Sequence, residues 1–208
     1  MLHSEALRRD CLLCREPTWD LSRLCTPCLA DLPWNTAHCQ QCALPITVPL
    51  GLALHCGECL KSPAPFDRII APFRYDFPVD RMLHQFKYQG KRHWSKRLAA
   101  LMAAHIHHLH DTRQLVLPEI LIPVPLHRER LRERTYNQSD LLARQLGRML
   151  DLPVDRQWLT KTQPTRTQAG LTKTERLRNL RDAFTLKGNR TYQHIALIDD
   201  VVTTRATV

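Results

Sequence analysis

Beyond residue 65 the apolar positions of the chain follow two alternating rules. Val79, Met82, Leu83 and Phe86 recur at i, i+3, i+4 and i+7, which predicts an amphipathic helix from Val79 to about Tyr88. A longer helix is expected from His93 to Leu109, with Trp94, Leu98, Leu101, Met102 and Ile106 inward. A third spans Asn137 to Leu150, with Leu141, Leu142, Leu146 and Met149 on one side. Between and after them the helical period disappears. Arg68 to Tyr75 is β-prone, Glu119 to Leu126 reads as a buried strand ending at prolines, and His194 to Ile198 is an uninterrupted apolar run. Thr172 and Glu175 form a capping box that opens a basic helix to about Arg181. Buried strands alternating with helices predict an α/β domain with a parallel sheet, whose ligands sit at the carboxyl ends of the strands.

The first 60 residues show neither rule. They hold instead all eight cysteines, as four C-x-x-C pairs: Cys11/Cys14, Cys25/Cys28, Cys39/Cys42 and Cys56/Cys59. Two thiolates three positions apart on a tight turn can face one tetrahedral Zn²⁺, and a second such turn closes the site. A disulfide framework also needs an even count, but it has no reason to repeat one unit four times. Two closed, structural zinc sites are therefore expected. Sequential closure groups Cys11, Cys14, Cys25 and Cys28 at one metal and Cys39, Cys42, Cys56 and Cys59 at the other. Cross-bracing would pair the first turn with the third. The sequential form is favoured because each gap of ten to thirteen residues suits a short hairpin. With few large apolar residues in this stretch, metal binding should supply most of its folding free energy.

Charge breaks at the same place. The chain carries 30 Lys+Arg against 20 Asp+Glu, a net charge of +10, and the surplus lies entirely after residue 60. Two domains follow: a zinc-ribbon module over 1–62 and an α/β domain over 63–208, joined at Leu60 to Pro65, where prolines stiffen the connector. No run approaches the roughly 20 apolar residues of a spanning helix, and the first ten residues lack a signal-peptide core, so a cytoplasmic protein without membrane insertion is expected. The histidines at 105, 107, 108 and 110 include i, i+3 pairs. No carboxylate accompanies them at ligand spacing, so they read as a solvated helix end.

The densest chemistry is at the carboxyl end. The run Ile195-Ala196-Leu197-Ile198 delivers Asp199 and Asp200 to a strand edge, and Thr203, Thr204, Ala206 and Thr207 follow. Vicinal hydroxyls can donate to such a carboxylate pair, while threonine hydroxyls and the N–H groups of a helix start hold a phosphate. This resembles the 5-phosphoribosyl-1-pyrophosphate (PRPP) motif of type I phosphoribosyltransferases.

The likeness extends upstream. Pro123-Val124-Pro125-Leu126, the arginine run to Arg134 and Tyr136-Asn137-Gln138-Ser139 resemble the V-P-x-P-L…R-x-R-G-[FY]-N-Q signature of the ComF family. Phe86-Lys87-Tyr88 resembles its L-K-[FY] element. Thr167-Gln168-Ala169-Gly170-Leu171 with Arg176, Asn179 and Phe184 resembles its T-x-Q-x-G-L block, and the C-x-x-C ladder also belongs to that family.

The resemblance implies a type I phosphoribosyltransferase-like sheet behind a double zinc ribbon. It implies Asp199 and Asp200 on the ribose hydroxyls of a phosphoribosyl ligand, and Thr203, Thr204, Ala206 and Thr207 on its 5′-phosphate. Pro125, Leu126, Arg128, Arg130 and Arg134 would lie by the pyrophosphate, with Mg²⁺ bridging ligand oxygens. Arg205 and Thr135 stand where the family has glycine. A Cβ at 205 crowds the phosphate turn, so weakened phosphoribosyl binding is expected.

Three functions fit these features. One is a phosphoribosyltransferase acting in DNA uptake and use. Another is a non-catalytic single-stranded nucleic-acid binder, using the arginines with Phe86, Tyr88, Trp94 and Tyr136. The third is an adaptor whose ribbons recruit a DNA-translocating helicase. The sequence stops at Val208, just past the phosphate motif, so a helix and last strand of roughly 20–35 residues are expected to be missing.

Overall fold

Two short apolar strands set the centre of the second half. In the computed structural model, which describes residues 9–19, 22–47, 55–62, 64–163 and 183–202, β3 (Ile120–Pro123) and β6 (Ile195–Ile198) pair in parallel, Ile120 opposite Ile195 and Pro123 opposite Ile198. Val154 extends the sheet on the other side of β3 through a parallel bridge to Leu121. Every residue of β3 is buried, as its unalternating run requires of a strand covered on both faces.

The amino-terminal elements are β1 (Arg9–Asp10), β2 (Pro17–Thr18), α1 (Thr26–Ala30) and α2 (Gly57–Lys61). The helices that follow are α3 (Val79–Tyr88), α4 (His93–Asp111), α5 (Arg128–Arg134) and α6 (Gln138–Leu150). A small antiparallel pair joins β4 (Leu159–Lys161) to β5 (Phe184–Leu186).

Helix α6 packs on β3, and α4 packs on α6. The predicted spans of α3, α4 and α6 agree with the structure within two residues at each end. Phe86 is fully buried at the centre of this core, a burial that contributes about 2–3 kcal/mol. Gly147 lets α6 close on the sheet, because a Cβ there would meet Val154 Cγ2 at 2.6 Å and the Leu152 carbonyl oxygen at 2.7 Å.

Asn137 caps α6, its side chain accepting from the Ser139 N–H at 3.0 Å. Helix α5 ends at Thr135, whose φ of 63° lies in the left-handed region. Thr135→Gly removes the Cβ strain there and is expected to raise stability by about 1 kcal/mol in urea denaturation of the zinc-loaded protein. A null or negative change would show that the Arg92–Thr135 hydrogen bond, 3.4 Å, outweighs the strain.

Arg68 to Tyr75 does not join the sheet. It runs extended along the amino-terminal module instead. Ile69 N–H donates to Gln41 O (2.7 Å), Asn35 N–H to Pro72 O (2.8 Å) and Arg74 N–H to Pro33 O (2.8 Å), with one bridge between Trp34 and Phe73. Pro72 has no N–H to give a ladder, and Pro33 removes one from the facing segment. The buried Asn35 side chain adds donations to Ala43 O at 2.8 Å and Ala71 O at 3.2 Å.

This strap has a counterpart in the core. Cys11, Leu24 and Leu32 belong to the same buried cluster as Phe86, Trp94, Leu98 and Leu142. Cys39, Cys42 and Cys59 form a separate cluster with Cys56 and Phe66. The first half of the cysteine module therefore shares the main core, so apolar packing adds there to what a metal contributes.

Of the histidine run, His105 is half-buried with its ring 6.5 Å from that of Trp34, and His107 Nε2 lies 3.3 Å from Met149 O. His108 is exposed, and His110 Nδ1 is 3.1 Å from Leu115 O. Among the described residues no helix is long and apolar enough to cross a membrane.

Candidate functional site

The eight thiols gather into two sets, Cys11/Cys14/Cys25/Cys28 and Cys39/Cys42/Cys56/Cys59, each with its sulfurs within 4.8 Å of one another. The grouping is sequential, not cross-braced. Both sets are built the same way. The first C-x-x-C forms a turn closed by Arg15 N–H on Cys11 O (3.0 Å) or Ala43 N–H on Cys39 O (2.8 Å), with positive φ at Arg15 and Ala43. The second opens a helix: Cys25 and Cys56 are the N-cap residues of α1 and α2, which place Cys28 and Cys59 one turn on. The backbone N–H of Cys25 donates to Cys11 Sγ at 3.4 Å, and that of Cys56 to Cys39 Sγ at 3.2 Å.

The dimensions suit zinc. Zn–S bonds of about 2.3 Å in a tetrahedron require sulfurs roughly 3.8 Å apart. Cys14 and Cys25 lie 3.4 Å apart, and Cys42 and Cys56 3.7 Å. Burial pushes the Cys11 and Cys39 thiols up, but backbone N–H groups aimed at each sulfur outweigh it and bring both down to about 6. Burial and the neighbouring thiols push Cys28 strongly up, and Cys59 up to about 12. Thiolates gathered this closely repel one another, and a divalent ion at their centre offsets the repulsion. Four thiolates leave no open position, so the metal's chemistry there is structural.

The second site lies at the carboxyl ends of β3 and β6. Val124 N–H donates to Ile198 O (3.0 Å) and carries the parallel pairing one step further. Asn137 Nδ2 holds Val124 O at 2.9 Å, which ties the start of α6 to the Pro125-Leu126 turn. Asp199 Oδ1 accepts from Ser139 Oγ at 3.0 Å and from the Asp200 N–H at 2.8 Å. Asp200 Oδ1 pairs with Lys87 Nζ at 2.8 Å. Burial, then the adjacent Asp200 charge, pushes Asp199 up to about 6. Burial lowers the Lys161 ammonium against the opposing pull of the Asp199 charge, and the Arg130 charge adds to the lowering.

The arginines of α5 divide. Arg130 pairs with Glu133 at 3.5 Å. Arg128 is exposed. Arg134 stacks 5.2 Å over the Tyr88 ring and donates to Gln138 Oε1 at 3.2 Å. Thr203, Thr204, Arg205, Ala206 and Thr207 lie outside the described residues, as do Thr167 to Leu171, Arg176, Asn179 and the capping-box helix.

Lys87, Ser139 and Lys161 join the site without having been singled out by sequence. The first two fall within family-like strings but carry no role that the strings reveal. Lys161, in a short Leu-Thr-Lys strand, carries no local signal.

Four-thiolate clusters of this spacing, fused to a parallel α/β body with a carboxylate pair at its strand ends, define a double-zinc-ribbon α/β protein. Residues 6–60 match the Double zinc ribbon domain. The chain is 35% identical to DNA utilization protein YhgH of Escherichia coli (strain K12) over 202 residues, covering 95% of this chain and 86% of that one. It is 36% identical to Competence protein F of Haemophilus influenzae over 188 residues, 89% and 80% of the two chains. It is 28% identical to Competence protein ComFC of Bacillus subtilis over 220 residues, 95% and 85%. The chain belongs to the ComF family of competence and DNA-utilization proteins.

Proposed function

We propose that this protein binds a PRPP-like phosphoribosyl ligand on a type I phosphoribosyltransferase-like domain and serves the uptake or use of DNA. The chain divides at residues 62 and 63, with the ribbon pair before and the ligand-binding body after. Asp199 and Asp200 accept from the ribose hydroxyls, and Thr203, Thr204, Ala206 and Thr207 hold the 5′-phosphate. Pro125 and Leu126, with Arg128, Arg130 and Arg134 behind them, border the pyrophosphate. The carboxylate pair is a hard oxygen donor set, so Mg²⁺ entering with the ligand fits it as the counter-ion to pyrophosphate.

One observation carries the reading: two carboxylates at the end of a buried parallel strand, beside the capped start of α6, in the place where such sheets bind ligands. The DNA role is supported by the relatives' names.

Calorimetry on zinc-loaded protein tests it. PRPP and ribose 5-phosphate are expected to bind, and 2-deoxyribose 5-phosphate at least tenfold more weakly, because it leaves a carboxylate oxygen unpaired. The Asp199→Asn/Asp200→Asn double variant should lose binding, and Arg205→Gly should tighten it. Equal affinity for the ribose and deoxyribose phosphates would overturn the ribose assignment.

A second reading, single-stranded nucleic acid, is favoured by one surface. Phe77 and Tyr88 are 67% and 63% exposed. Arg81 lies 5.4 Å over the Phe77 ring, His84 lies 5.1 Å from Tyr88, and Arg134 covers Tyr88. Phe86, Trp94 and Tyr136 are buried, so of the four aromatics singled out in the sequence only Tyr88 can stack on a base. Oligothymidine binding that weakens with salt and falls in Phe77→Ala and Tyr88→Ala would support this reading.

A further inference from the structure

The two thiolate clusters share a construction and differ in cover. Of the eight thiols, Cys14 alone is exposed to solvent. Its partners Cys11, Cys25 and Cys28 pack in or against the main core that holds Leu24, Trp94 and Leu98. In the second cluster Cys39, Cys42 and Cys59 are buried and Cys56 is half-buried. A hydroperoxide must bring its O–O bond into line with the sulfur that attacks it. At the first cluster it meets Cys14, and at the second it meets no exposed sulfur.

The surroundings of Cys14 turn this exposure into chemistry. A thiol that ligates a metal is held as the thiolate, which is its nucleophilic form. Cys25 Sγ lies 3.4 Å from Cys14 Sγ. Cys11, by contrast, is fully buried, and its sulfur already accepts the Cys25 N–H at 3.4 Å. A disulfide brings its sulfurs to about 2 Å. Neither partner is fixed inside a helix or a strand, since Cys14 lies on a turn and Cys25 at the N-cap of α1.

We propose that Cys14 is a modification site for hydroperoxides, with Cys25 as its resolving thiol. The Cys14 thiolate attacks the peroxide: an S–O bond forms, the O–O bond breaks, and hydroxide leaves. The Cys25 thiolate then attacks the Cys14 sulfenic sulfur. The S–S bond forms, the S–O bond breaks, and a second hydroxide leaves. Two electrons pass from the sulfurs to the peroxide, and two protons from solvent turn both hydroxides into water. Cys11 and Cys28 remain, too few ligands to hold a tetrahedral metal. Because these two thiols pack with the core that contains Trp94 and Leu98, the change reaches the α/β body, whereas the second cluster forms a core of its own. None of this depends on the phosphoribosyl reading.

The experiment treats full-length zinc-loaded protein with about one equivalent of hydrogen peroxide. A chromogenic chelator reads metal release, and peptide mapping after alkylation locates the disulfide. One zinc is expected to leave about tenfold or more faster than the other, with Cys14–Cys25 as the first disulfide and Cys39, Cys42, Cys56 and Cys59 still reduced. Cys14→His keeps four ligands, in a set that structural zinc accepts, but removes the sulfur that attacks the peroxide. Its fast phase should vanish. Cys42→His, the same change in the second cluster, should leave the fast phase as it is. Dithiothreitol with added zinc should restore the wild-type helical circular-dichroism signal.

Release of both metals at one rate overturns the proposal, as does a first disulfide that omits Cys14. An undiminished fast phase in a Cys14→His protein that holds two zinc ions overturns it too. A first disulfide from Cys14 to Cys11 or Cys28 overturns the role of Cys25. If Cys14→His fails to take up both metals, the order of disulfides in the wild-type map decides the matter by itself.

Discussion

Loss of the first thiolate cluster is expected to unfold the whole protein, whereas loss of the second melts only its own ribbon. The two clusters look alike in sequence and in local geometry, so this asymmetry comes from packing alone. Cys11 is fully buried and shares a core with Leu24, Leu32, Phe86 and Leu98, while among the described residues Cys39, Cys42 and Cys59 form a separate cluster with Cys56 and Phe66. A structural zinc contributes about 10–16 kcal/mol of apparent folding free energy, against a total stability of about 5–15 kcal/mol for a typical domain.

In Cys11→Ser/Cys14→Ser, the helical circular-dichroism signal should therefore lose its cooperative transition or melt more than about 10 °C lower. In Cys39→Ser/Cys42→Ser, the transition of α3, α4 and α6 should move by only a few degrees. Hydrogen exchange would show protection lost only around residues 38–62. Equal effects from the two variants would refute the asymmetry.

Asp199→Asn is expected to stabilise the protein at pH 7 by on the order of 2 kcal/mol, and by almost nothing near pH 4, while weakening the ligand. The sign follows from linkage. Burial and the Asp200 charge raise Asp199 from its ordinary 3.8 to about 6, so the folded state holds its proton more tightly than the unfolded chain. Folding is unpenalised below about pH 3.8. Stability declines as pH climbs from there to about 6, and the full cost persists at neutrality, about 1.4 kcal/mol for every tenfold gain in proton affinity on folding.

Asparagine keeps an oxygen for Ser139 and for the Asp200 N–H, so the variant removes charge and little else. Urea denaturation at pH 4, 5.5 and 7 reads the difference. A gain independent of pH would mean that Asp199 titrates as an ordinary carboxylate. The expected result would make the site a place where stability is given up for binding.

Long periodic elements were legible from sequence because their signal is local and repeated: Val79 to Phe86 in α3, Leu141 to Met149 in α6. The unalternating run at 120–123 announced a strand buried on both faces, whereas the like run at 195–198 gives a strand of which only Ile198 is buried and Ile195 is exposed. Short elements were not legible. Helices α1 and α2 span five residues each, and β4 and β5 three, too few for any period to declare itself.

Arg68 to Tyr75 had strand composition, but its partner was decided by what lay opposite, the Pro33 to Gln41 segment. The sequential zinc grouping was favoured by spacing without being separable from the cross-braced one. In the carboxylate site, Asp199 and Asp200 stood out because they end an apolar run. Lys87, Ser139 and Lys161 did not, since a contact between residues 60 or 113 positions apart leaves no trace in the residues between them.

The strap over residues 69–74 leaves the connection between the cysteine module and the body without slack. Its backbone is bonded to Pro33, Asn35 and Gln41, and the Asn35 amide also grips Ala43 of the second ribbon. Five residues past the strap, α3 begins, and its last turn carries Lys87. A pull on the second ribbon is therefore passed along a taut line that ends at the carboxylates. A longer, looser linker would absorb it instead.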